Sequence, residues 1–366
     1  MCRILIEYYV NLSKKRSGLR RAQRSVISYV QKSPPPSAAT APHPAGLFGL
    51  VLVLLTVCVL VKAFFLKAPE QKAAELPAQP AASDTDDSQQ SREEQAAQEA
   101  LRSHLERKGG FYTILLSGLD DDNGGSDTNI LVAVDTVNGY VYGVSIPRDS
   151  KAIIDGKARK INYAYNKGGT ELLADTVSEQ LGIPVDYTVS VNLKGFTALV
   201  DAIGGVDFDV PINMDYDDPI QNLSIHFKKG VQHLSGADAL RVVRFRHNND
   251  GSGYGSEDLG RMATQQKFLK AVAKKMLSAG NILTKIDDYA KIFNQYVDTN
   301  LTVGNLAWLG TEVLKMGVDK IDFSTLPNAW KYPYIYLDPT ETLTLVNTYL
   351  NPYVEDRTAD DLNIPG

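Results

Sequence analysis

The chain has 366 residues, with 43 acidic and 38 basic side chains, a formal net charge of -5 and a sequence pI near 5.6. This balance argues against a protein that coats nucleic acid, because such proteins present a basic patch or stripe. The two cysteines are Cys2 and Cys58, so the sequence after residue 66 offers no disulfide framework, thiol nucleophile or cysteine metal site.

The first 66 residues have the pattern of a leader followed by a membrane anchor. Residues 1–44 contain eight basic side chains against the single acid Glu7, and their Pro/Ala/Ser-rich end predicts disorder. Residues 45–66 are apolar apart from Lys62 and have about the length of a membrane-spanning helix. The positive-inside rule then places the leader in the cytoplasm and the rest of the chain outside the cell. The alternative, a cleaved signal peptide, fits less well because the leader is long and no clean small-residue cleavage site follows.

Residues 67–110 are predicted to link the anchor to the outer domain. The first part, to residue 90, is rich in Ala, Pro, Gln, Ser and Asp, which is typical of disordered segments. Residues 91–108 have a helix-compatible pattern that ends at Gly109-Gly110. We expect an extracellular linker that ends in a short stalk helix.

Three β-strands are predicted next, at residues 111–119, 129–137 and 140–147. An acidic, glycine-containing loop separates the first two, and Asn138-Gly139 predicts a type I′ turn between the second and third. Following the direction of the chain through these reversals brings Asp120, Asp127 and Arg148 to one edge of the sheet.

Helices and strands alternate over the following residues. Helices are predicted at 171–181, 195–203, 237–243 and 259–277, with strands at 187–192 and 206–210. Together with the three antiparallel strands, this alternation predicts an α/β fold in which helices cover a mixed β-sheet. We assign the outer domain to residues 111–355 and a tail to residues 356–366.

The carboxylates of Asp120 and Asp127 are candidate ligands of Mg²⁺, a hard cation that takes oxygen ligands and completes its shell with water and phosphate. The alternative is that the acidic loop between them is only a solvated turn. An EF-hand is excluded, because the twelfth position counted from Asp120 is Leu131 and not a glutamate.

Arginines supply the complementary charge. Arg148 follows Pro147 at the end of a predicted strand, and Arg244 and Arg246 flank Phe245 in a stretch that we expect to be extended, with both arginines on one face. Guanidinium groups match phosphate oxygens in a bidentate manner, so these side chains are candidates to bind a diphosphate. Surface salt bridges are the alternative for each of them.

The helix predicted from about residue 259 has one face that changes from polar to apolar along its length. Asp258, Arg261, Gln265, Phe268 and Val272 follow 3-4-3-4 spacing and therefore share a side of the helix. The polar half is expected to border a cavity, into which Phe268 and Val272 could present an apolar lining for a lipid. An ordinary N-terminal capping network at Asp258 and plain core positions for Phe268 and Val272 are the alternatives.

Six segments, in order, carry a resemblance to a known family. They are SDTNILVAVD, VSIPRDS, KINYAY, GFTALVDAIGGVDFDVP, KKGVQHLSGADALRVVRFRH and DLGRMATQQ, between about residues 111 and 277. Together they resemble the LytR-CpsA-Psr domain, and the sequence through Tyr353 resembles the closing helices of that domain more weakly.

This resemblance implies an extracellular Mg²⁺-dependent phosphotransferase. Such an enzyme attaches a polyprenyl-diphosphate-linked glycopolymer, a teichoic acid or a capsular or wall polysaccharide, to peptidoglycan and releases polyprenyl phosphate. The resemblance assigns the metal to Asp120 and Asp127. It assigns phosphate binding to four arginines and polar pocket roles to two further residues: Arg148, Arg244, Arg246, Arg261, Asp258 and Gln265. Many members carry arginines where this chain has Asp122 and Gly125, so this site is less positive.

Two other functions stay open at this point. One is a membrane-bound transcriptional attenuator, which the expected extracellular position and the lack of a helix-turn-helix or basic recognition helix oppose. The other is a non-enzymatic protein that binds cell-wall polymer, which loss of Mg²⁺ binding or full function without the arginines would favour. The favoured function has the lipid-linked glycopolymer, peptidoglycan and the cell membrane as partners and no nucleic acid.

Overall fold

The computed structural model describes residues 66–72, 104–119, 125–220, 223–255, 257–278 and 286–366. All of them belong to one compact unit, Lys62–Gly366. The predicted leader, and the predicted anchor up to residue 65, lie outside the described residues. Across the ranges given above, none of the helices combines the length and the apolar character needed to span a bilayer.

The three predicted N-terminal strands form β1 (Phe111–Leu119), β2 (Ser126–Asp135) and β3 (Tyr140–Ile146), and each is antiparallel to the next. The turn prediction between β2 and β3 is wrong, because Asp135 pairs with Tyr140 and leaves a four-residue loop instead of two residues. The Asp135 carboxylate explains the difference, since it accepts hydrogen bonds from the backbone N–H groups of Val137 and Asn138 at 3.0 and 2.8 Å.

The next elements are β4 (Lys151–Ile154), β5 (Lys157–Lys160), α1 (Asn162–Leu181), β6 (Tyr187–Asn192) and α2 (Leu193–Ala202). Helix α1 begins nine residues before the predicted Glu171, and its backbone departs from helical geometry at Gly168 and Gly169. The glycine pair hides this first turn from a reading based on helix periodicity. Strand β6 has the predicted bounds.

A smaller region follows, with β7 (Val206–Val210), β8 (Met214–Asp218), β9 (Leu223–Phe227) and β10 (Gly230–Leu234). Strands β7 and β10 pair with each other, as do β8 and β9. Helices α3 (Gly236–Arg244) and α4 (Glu257–Met276) complete this region, and α4 agrees with the predicted long helix within two residues at each end.

The closing elements are α5 (Ile286–Tyr296), β11 (Val297–Thr299), α6 (Val303–Met316), β12 (Ile321–Thr325), β13 (Asn328–Lys331), β14 (Tyr334–Leu337) and α7 (Pro339–Leu345). A π-helical turn, Val346–Leu350, follows α7. Residues of the expected tail also pack on this unit: Arg357 is buried, and Ile364 contacts the core.

A six-stranded sheet in the order β11-β6-β1-β2-β3-β12 forms the centre. Strand β1 is parallel to β6, and β3 is parallel to β12, whereas the other neighbours are antiparallel. On one face, Leu115 and Leu131 pack with Leu173 of α1; on the other, Ile114 and Ile130 belong to a cluster that includes Leu309 of α6. The predicted mixed sheet covered by helices is confirmed.

Candidate functional site

A cleft lies at the edge of the sheet where β2 begins and β3 ends. Because β2 and β3 are antiparallel, with Asn129 opposite Ile146, the first residues of one strand lie beside the residues that follow the other. The cleft encloses about 390 Å³, part of it open to solvent. Its lining comes from β2, the end of β3, α4 and β14: Asp127, Thr128, Asn129, Ser145, Ile146, Pro147, Arg148, Asp149, Arg261, Met262, Gln265 and Ile335.

Asp127 and Arg148 form an ion pair in this cleft, in which the Arg148 Nη1 group donates to Asp127 Oδ1. Their side chains are 41% and 33% exposed, so both groups remain accessible to a ligand from solvent. The expectation that these two residues meet at one edge of the sheet is confirmed. Asp120 lies outside the described residues.

Backbone hydrogen bonds fix the turn that carries Arg148. The Ser150 N–H donates to the Pro147 carbonyl at 2.9 Å, and the Asn162 N–H donates to the Arg148 carbonyl at 3.2 Å. The Arg148 Nε atom lies 3.6 Å from Asp149 Oδ1, which also pairs with Lys160 Nζ at 3.1 Å. The guanidinium is therefore held between two carboxylates on a pinned turn.

Helix α4 forms the opposite wall, and two adjacent glutamines hold it in place. Gln266 Nε2 donates to Ser145 Oγ at 2.9 Å and to the Ser324 carbonyl at 2.8 Å, which ties α4 to β3 and β12. Gln265 Nε2 donates to the Val243 carbonyl at 3.1 Å, which ties α4 to the end of α3. Arg261 and Gln265 thereby line the cleft that contains Asp127.

The predicted change of character along α4 is confirmed, because the polar residues Arg261 and Gln265 line the cleft and the apolar positions that follow enter the core. Phe268 is fully buried and contacts Phe196 and Phe208, with ring centroids 5.7 and 5.2 Å apart. Phe268 and Val272 therefore occupy core positions and are not among the residues that line this cleft. The side chain of Asp258 lies outside what the structure describes.

The prediction that Arg244, Phe245 and Arg246 form an extended stretch is wrong at Arg244. Arg244 is the last residue of α3, and the extended backbone begins at the capping residue Phe245, with φ -61° and ψ 134°. Phe245 is buried against Tyr254, whereas Arg246 is exposed. The two arginines thus flank a buried anchor at a helix end, and neither is among the residues that line the cleft.

Oxygen atoms at the start of β2 fit a hard cation. Asp127 and Asn129 both line the cleft, and Asp127 lies where the register between β1 and β2 is interrupted, since Gly118 pairs with Thr128 and Leu119 with Ser126. Asn129 is 1% exposed, and its Oδ1 atom has no hydrogen-bond partner within the described ranges. A buried carbonyl oxygen beside a carboxylate matches the oxygen ligands that Mg²⁺ takes. Within the same ranges, no group of three histidine, cysteine or carboxylate side chains could hold a metal ion.

Gly125, where many family members carry an arginine, has a backbone adapted to glycine. Its φ of 103° lies in the region that side chains rarely adopt. A Cβ atom there would lie 3.1 Å from Asn166 Oδ1. An arginine at this position would therefore be strained in the backbone that this chain adopts. Asp122, the other position that differs, lies outside the described residues.

Sequence reasoning missed eight of the twelve cleft residues, among them Asn129, Met262 and Ile335. Asn129 could have been found, because it lies only two residues after the predicted ligand Asp127. Met262 follows Arg261 directly on α4 and lies off the predicted face. Nothing in the sequence indicates that Ile335 lies at the cleft, because its position depends on contact with a distant segment, in which its N–H donates to the Asp149 carbonyl at 2.9 Å.

Comparison with known proteins identifies relatives of this chain. It is 37% identical over 202 residues to the polyisoprenyl-teichoic acid–peptidoglycan teichoic acid transferase TagV of Bacillus subtilis strain 168, covering 52% of this chain and 50% of TagV. It is 37% identical over 195 residues to the Bacillus cereus strain ATCC 14579 transferase TagU, covering 52% of this chain and 60% of TagU. The matches thus span half to three fifths of these relatives.

Solved structures show the same fold. The crystal structure of B. subtilis TagV matches with a TM-score of 0.56 and 32% identity, over 66% of this chain and 96% of that one. The Listeria innocua protein Lin1025 matches with a TM-score of 0.52 and 28% identity, over 68% of this chain and 100% of that one. The sequence model of the LytR_cpsA_psr family matches residues 77–350, about three quarters of the chain. The chain belongs to the LytR-CpsA-Psr family.

Proposed function

We propose that this protein is a phosphotransferase that attaches a polyprenyl-diphosphate-linked glycopolymer to peptidoglycan and releases polyprenyl phosphate. The observation that carries the proposal is the cleft in which the Asp127–Arg148 pair faces Arg261 and Gln265. Phosphoryl transfer depends on positioning and charge neutralisation, which guanidinium groups and carboxylates provide without a covalent nucleophile. TagV and TagU are named as transferases of teichoic acid to peptidoglycan, which agrees with this chemistry.

In the proposed reaction, a hydroxyl of the peptidoglycan sugar attacks the phosphorus atom next to the glycopolymer. The bond from that phosphorus to the oxygen bridging the two phosphates breaks, and polyprenyl phosphate leaves with the bridging oxygen. Arg148 and Arg261 bind the phosphate oxygens and neutralise charge that develops on the leaving group. Arg244 and Arg246 extend the basic surface at the end of α3. Asp258 either orients Arg261 or accepts the proton of the attacking hydroxyl.

Asp127 and Asp120 would hold Mg²⁺, and the buried Asn129 Oδ1 atom would add an oxygen donor in the cleft that Asp127 lines. When bound, Mg²⁺ supplies charge neutralisation for the diphosphate. The ion pair between Asp127 and Arg148 would hold each side chain in place before a ligand arrives. A ligand phosphate would then replace the carboxylate as the partner of Arg148.

The proposed location is the cell membrane, with one span, a cytoplasmic leader and an extracellular catalytic domain. The excess of basic residues before residue 45 supports this orientation. The proposed substrates also lie on the outer side, since polyprenyl-linked glycopolymers join the wall there.

The test gives the purified full-length chain a short lipid-diphosphate glycan and peptidoglycan, with Mg²⁺ or with a chelator. We expect glycan attached to peptidoglycan only when Mg²⁺ is present. Binding of the lipid-linked glycan without any attachment would replace this proposal with a non-enzymatic binding protein.

A further inference from the structure

The hairpin formed by β13 and β14 exposes aromatic side chains next to the cleft. Trp330 is 61% exposed and Tyr332 is 85% exposed, and both lie within three residues of the turn. Large aromatic side chains usually bury most of their surface, so an exposed pair on one hairpin indicates a surface that binds something.

The register of the hairpin places Trp330 at the cleft. Trp330 lies directly opposite Ile335, so their side chains share one face of the hairpin. Ile335 is buried, lines the cleft and donates its N–H to the Asp149 carbonyl. Trp330 is therefore the exposed cross-strand neighbour of a residue that lines the cleft beside Arg148 and Asp149.

The other face of the hairpin is already occupied. Lys151 Nζ and Lys331 Nζ lie 5.1 and 5.9 Å from the centre of the Tyr336 ring. Tyr334 Oη donates to the Ala158 carbonyl of β5 at 3.2 Å, which fastens the hairpin to the β4–β5 hairpin. These contacts fasten the hairpin to its neighbour, whereas Trp330 and Tyr332 near its turn are left exposed to solvent.

The chemistry around Trp330 matches a sugar strand that carries carboxylates. Sugar rings have apolar C–H faces, which pack on a flat aromatic ring, and hydroxyls, which the indole N–H can meet as donor. Lys331, Lys157 and Arg159 are exposed on the same pair of hairpins. Peptidoglycan supplies both features, an amino-sugar backbone and acidic groups.

A lipid surface is the competing ligand, because Trp, Tyr and Lys also gather at membrane interfaces. The position of residues 66–72, which follow the predicted anchor, argues against it. Gln71 Nε2 donates to the Phe111 carbonyl at 2.7 Å, and the Lys72 N–H donates to Asp186 Oδ1 at 3.1 Å. Phe111 begins β1, whereas the cleft lies beyond its other end, roughly 30 Å away for a nine-residue strand. The exposed rings thus lie away from the segment nearest the membrane.

We propose that Trp330, together with Tyr332, forms a subsite that binds the acceptor sugar strand of peptidoglycan beside the phosphate cleft. This inference rests on the proposed function, since it names where the acceptor of that reaction binds. The stacked strand would bring a sugar hydroxyl towards the phosphates held by Arg148.

The sequence contains two tryptophans, which allows a direct test. Trp308 packs edge-on against Tyr112, with ring centroids 5.7 Å apart, so Trp308→Phe leaves Trp330 as the single indole. Chitotetraose, an amino-sugar tetramer, is titrated into this full-length variant in detergent. We expect a saturable change in Trp330 emission. If Trp308→Phe does not fold, the difference between wild type and Trp330→Phe gives the same signal.

A kinetic measurement separates this inference from the proposed function. Trp330→Ala should raise the KM for peptidoglycan about tenfold more than the KM for the lipid-linked donor, equivalent to about 1.4 kcal/mol of acceptor binding. The control is Val231→Ala, an exposed apolar residue on β10, which should change neither value. An unchanged acceptor KM in an active Trp330→Ala enzyme overturns the subsite and leaves the proposed function standing.

The fluorescence of Trp330 also distinguishes membrane binding from sugar binding. Emission of Trp330 that shifts with phosphatidylglycerol vesicles and does not respond to chitotetraose overturns the subsite as well. If the wild-type chain transfers no glycan, the proposed function fails, while the chitotetraose titration still decides whether Trp330 binds sugar.

Discussion

Arg148 and Asp127 contact each other across the gap between the end of β3 and the start of β2, through Arg148 Nη1 and Asp127 Oδ1. Both side chains are partly exposed, so the pair contributes little to the stability of the fold. A partly exposed pair at the edge of a cleft instead keeps two opposite charges ready for a ligand that carries both phosphate and a cation. The first two predictions concern these residues.

Asp127→Ala is expected to remove most Mg²⁺ binding and most transfer activity, because it deletes a carboxylate proposed to bind the metal. Its unfolding free energy should stay within about 1 kcal/mol of the wild-type value, as for other surface ion pairs. Calorimetric titration with Mg²⁺ measures the first effect. The matched control is Asp322→Ala, which removes an exposed ion pair with Lys270 at 3.0 Å on β12 and should leave Mg²⁺ affinity unchanged. Equal affinities for wild type and Asp127→Ala would make the acidic loop a simple turn.

Arg148→Lys should lower the transfer rate at least about tenfold, since lysine keeps the charge but cannot form the bidentate contact of a guanidinium with phosphate. Arg241→Lys is the control, because Arg241 forms an exposed ion pair with Asp238 at 2.9 Å on α3. Steady-state rates with one lipid-linked donor measure both variants. Full activity of Arg148→Lys would reduce Arg148 to a surface charge.

His226 should titrate above its ordinary pKa of 6.5, mainly because its Nδ1 atom hydrogen-bonds Asp215 Oδ1 at 2.6 Å, with Asp217 adding to the effect. A raised pKa in the folded state means that the contact between β8 and β9 contributes fully at pH values below the unfolded pKa and weakens as the pH rises through the folded pKa. NMR titration of the imidazole measures this pKa. Asp215→Asn should lower it, whereas Asp209→Asn on β7 should not; no difference between the variants would contradict the assigned cause.

Orientation in the membrane is tested by fusing alkaline phosphatase after Gly366. The fusion should be active, because that enzyme matures only outside the cytoplasm and the basic leader is predicted to keep residues 1–44 inside. A matched fusion to a reporter that works in the cytoplasm should be silent. The reverse result would contradict both the orientation and a wall substrate.

The large elements were predictable because their patterns are long or clear. The strands of β1 to β3, the strands β6 and β7, and the long helix α4 follow from periodicity and from turn residues. The start of α1 was hidden by two adjacent glycines. The turn before Tyr140 was predicted wrongly because the carboxylate of Asp135, at the end of β2, accepts hydrogen bonds from the backbone N–H groups of Val137 and Asn138. Short-range side-chain bonds of this kind are difficult to read from a dipeptide signal.

Those parts of the site that follow from strand direction or helical spacing were predictable from the sequence. Antiparallel pairing was enough to bring Asp127 to Arg148, and helical spacing was enough to bring Arg261 and Gln265 to one wall. Contacts that depend on distant segments were not predictable. Ile335 lies 187 residues after Arg148, and the extended geometry expected for Arg244 gave way to a helix that continues through it.

The most direct test of the proposed reaction follows which phosphate moves. A lipid-diphosphate glycan is prepared with ³²P only in the phosphate next to the sugar and is incubated with the full-length chain, Mg²⁺ and peptidoglycan. The account predicts that the label appears in peptidoglycan as a phosphodiester, with unlabelled polyprenyl monophosphate released. Label recovered as polyprenyl diphosphate, with the sugar joined to peptidoglycan through no phosphate, would show glycosyl transfer and contradict the phosphotransferase mechanism.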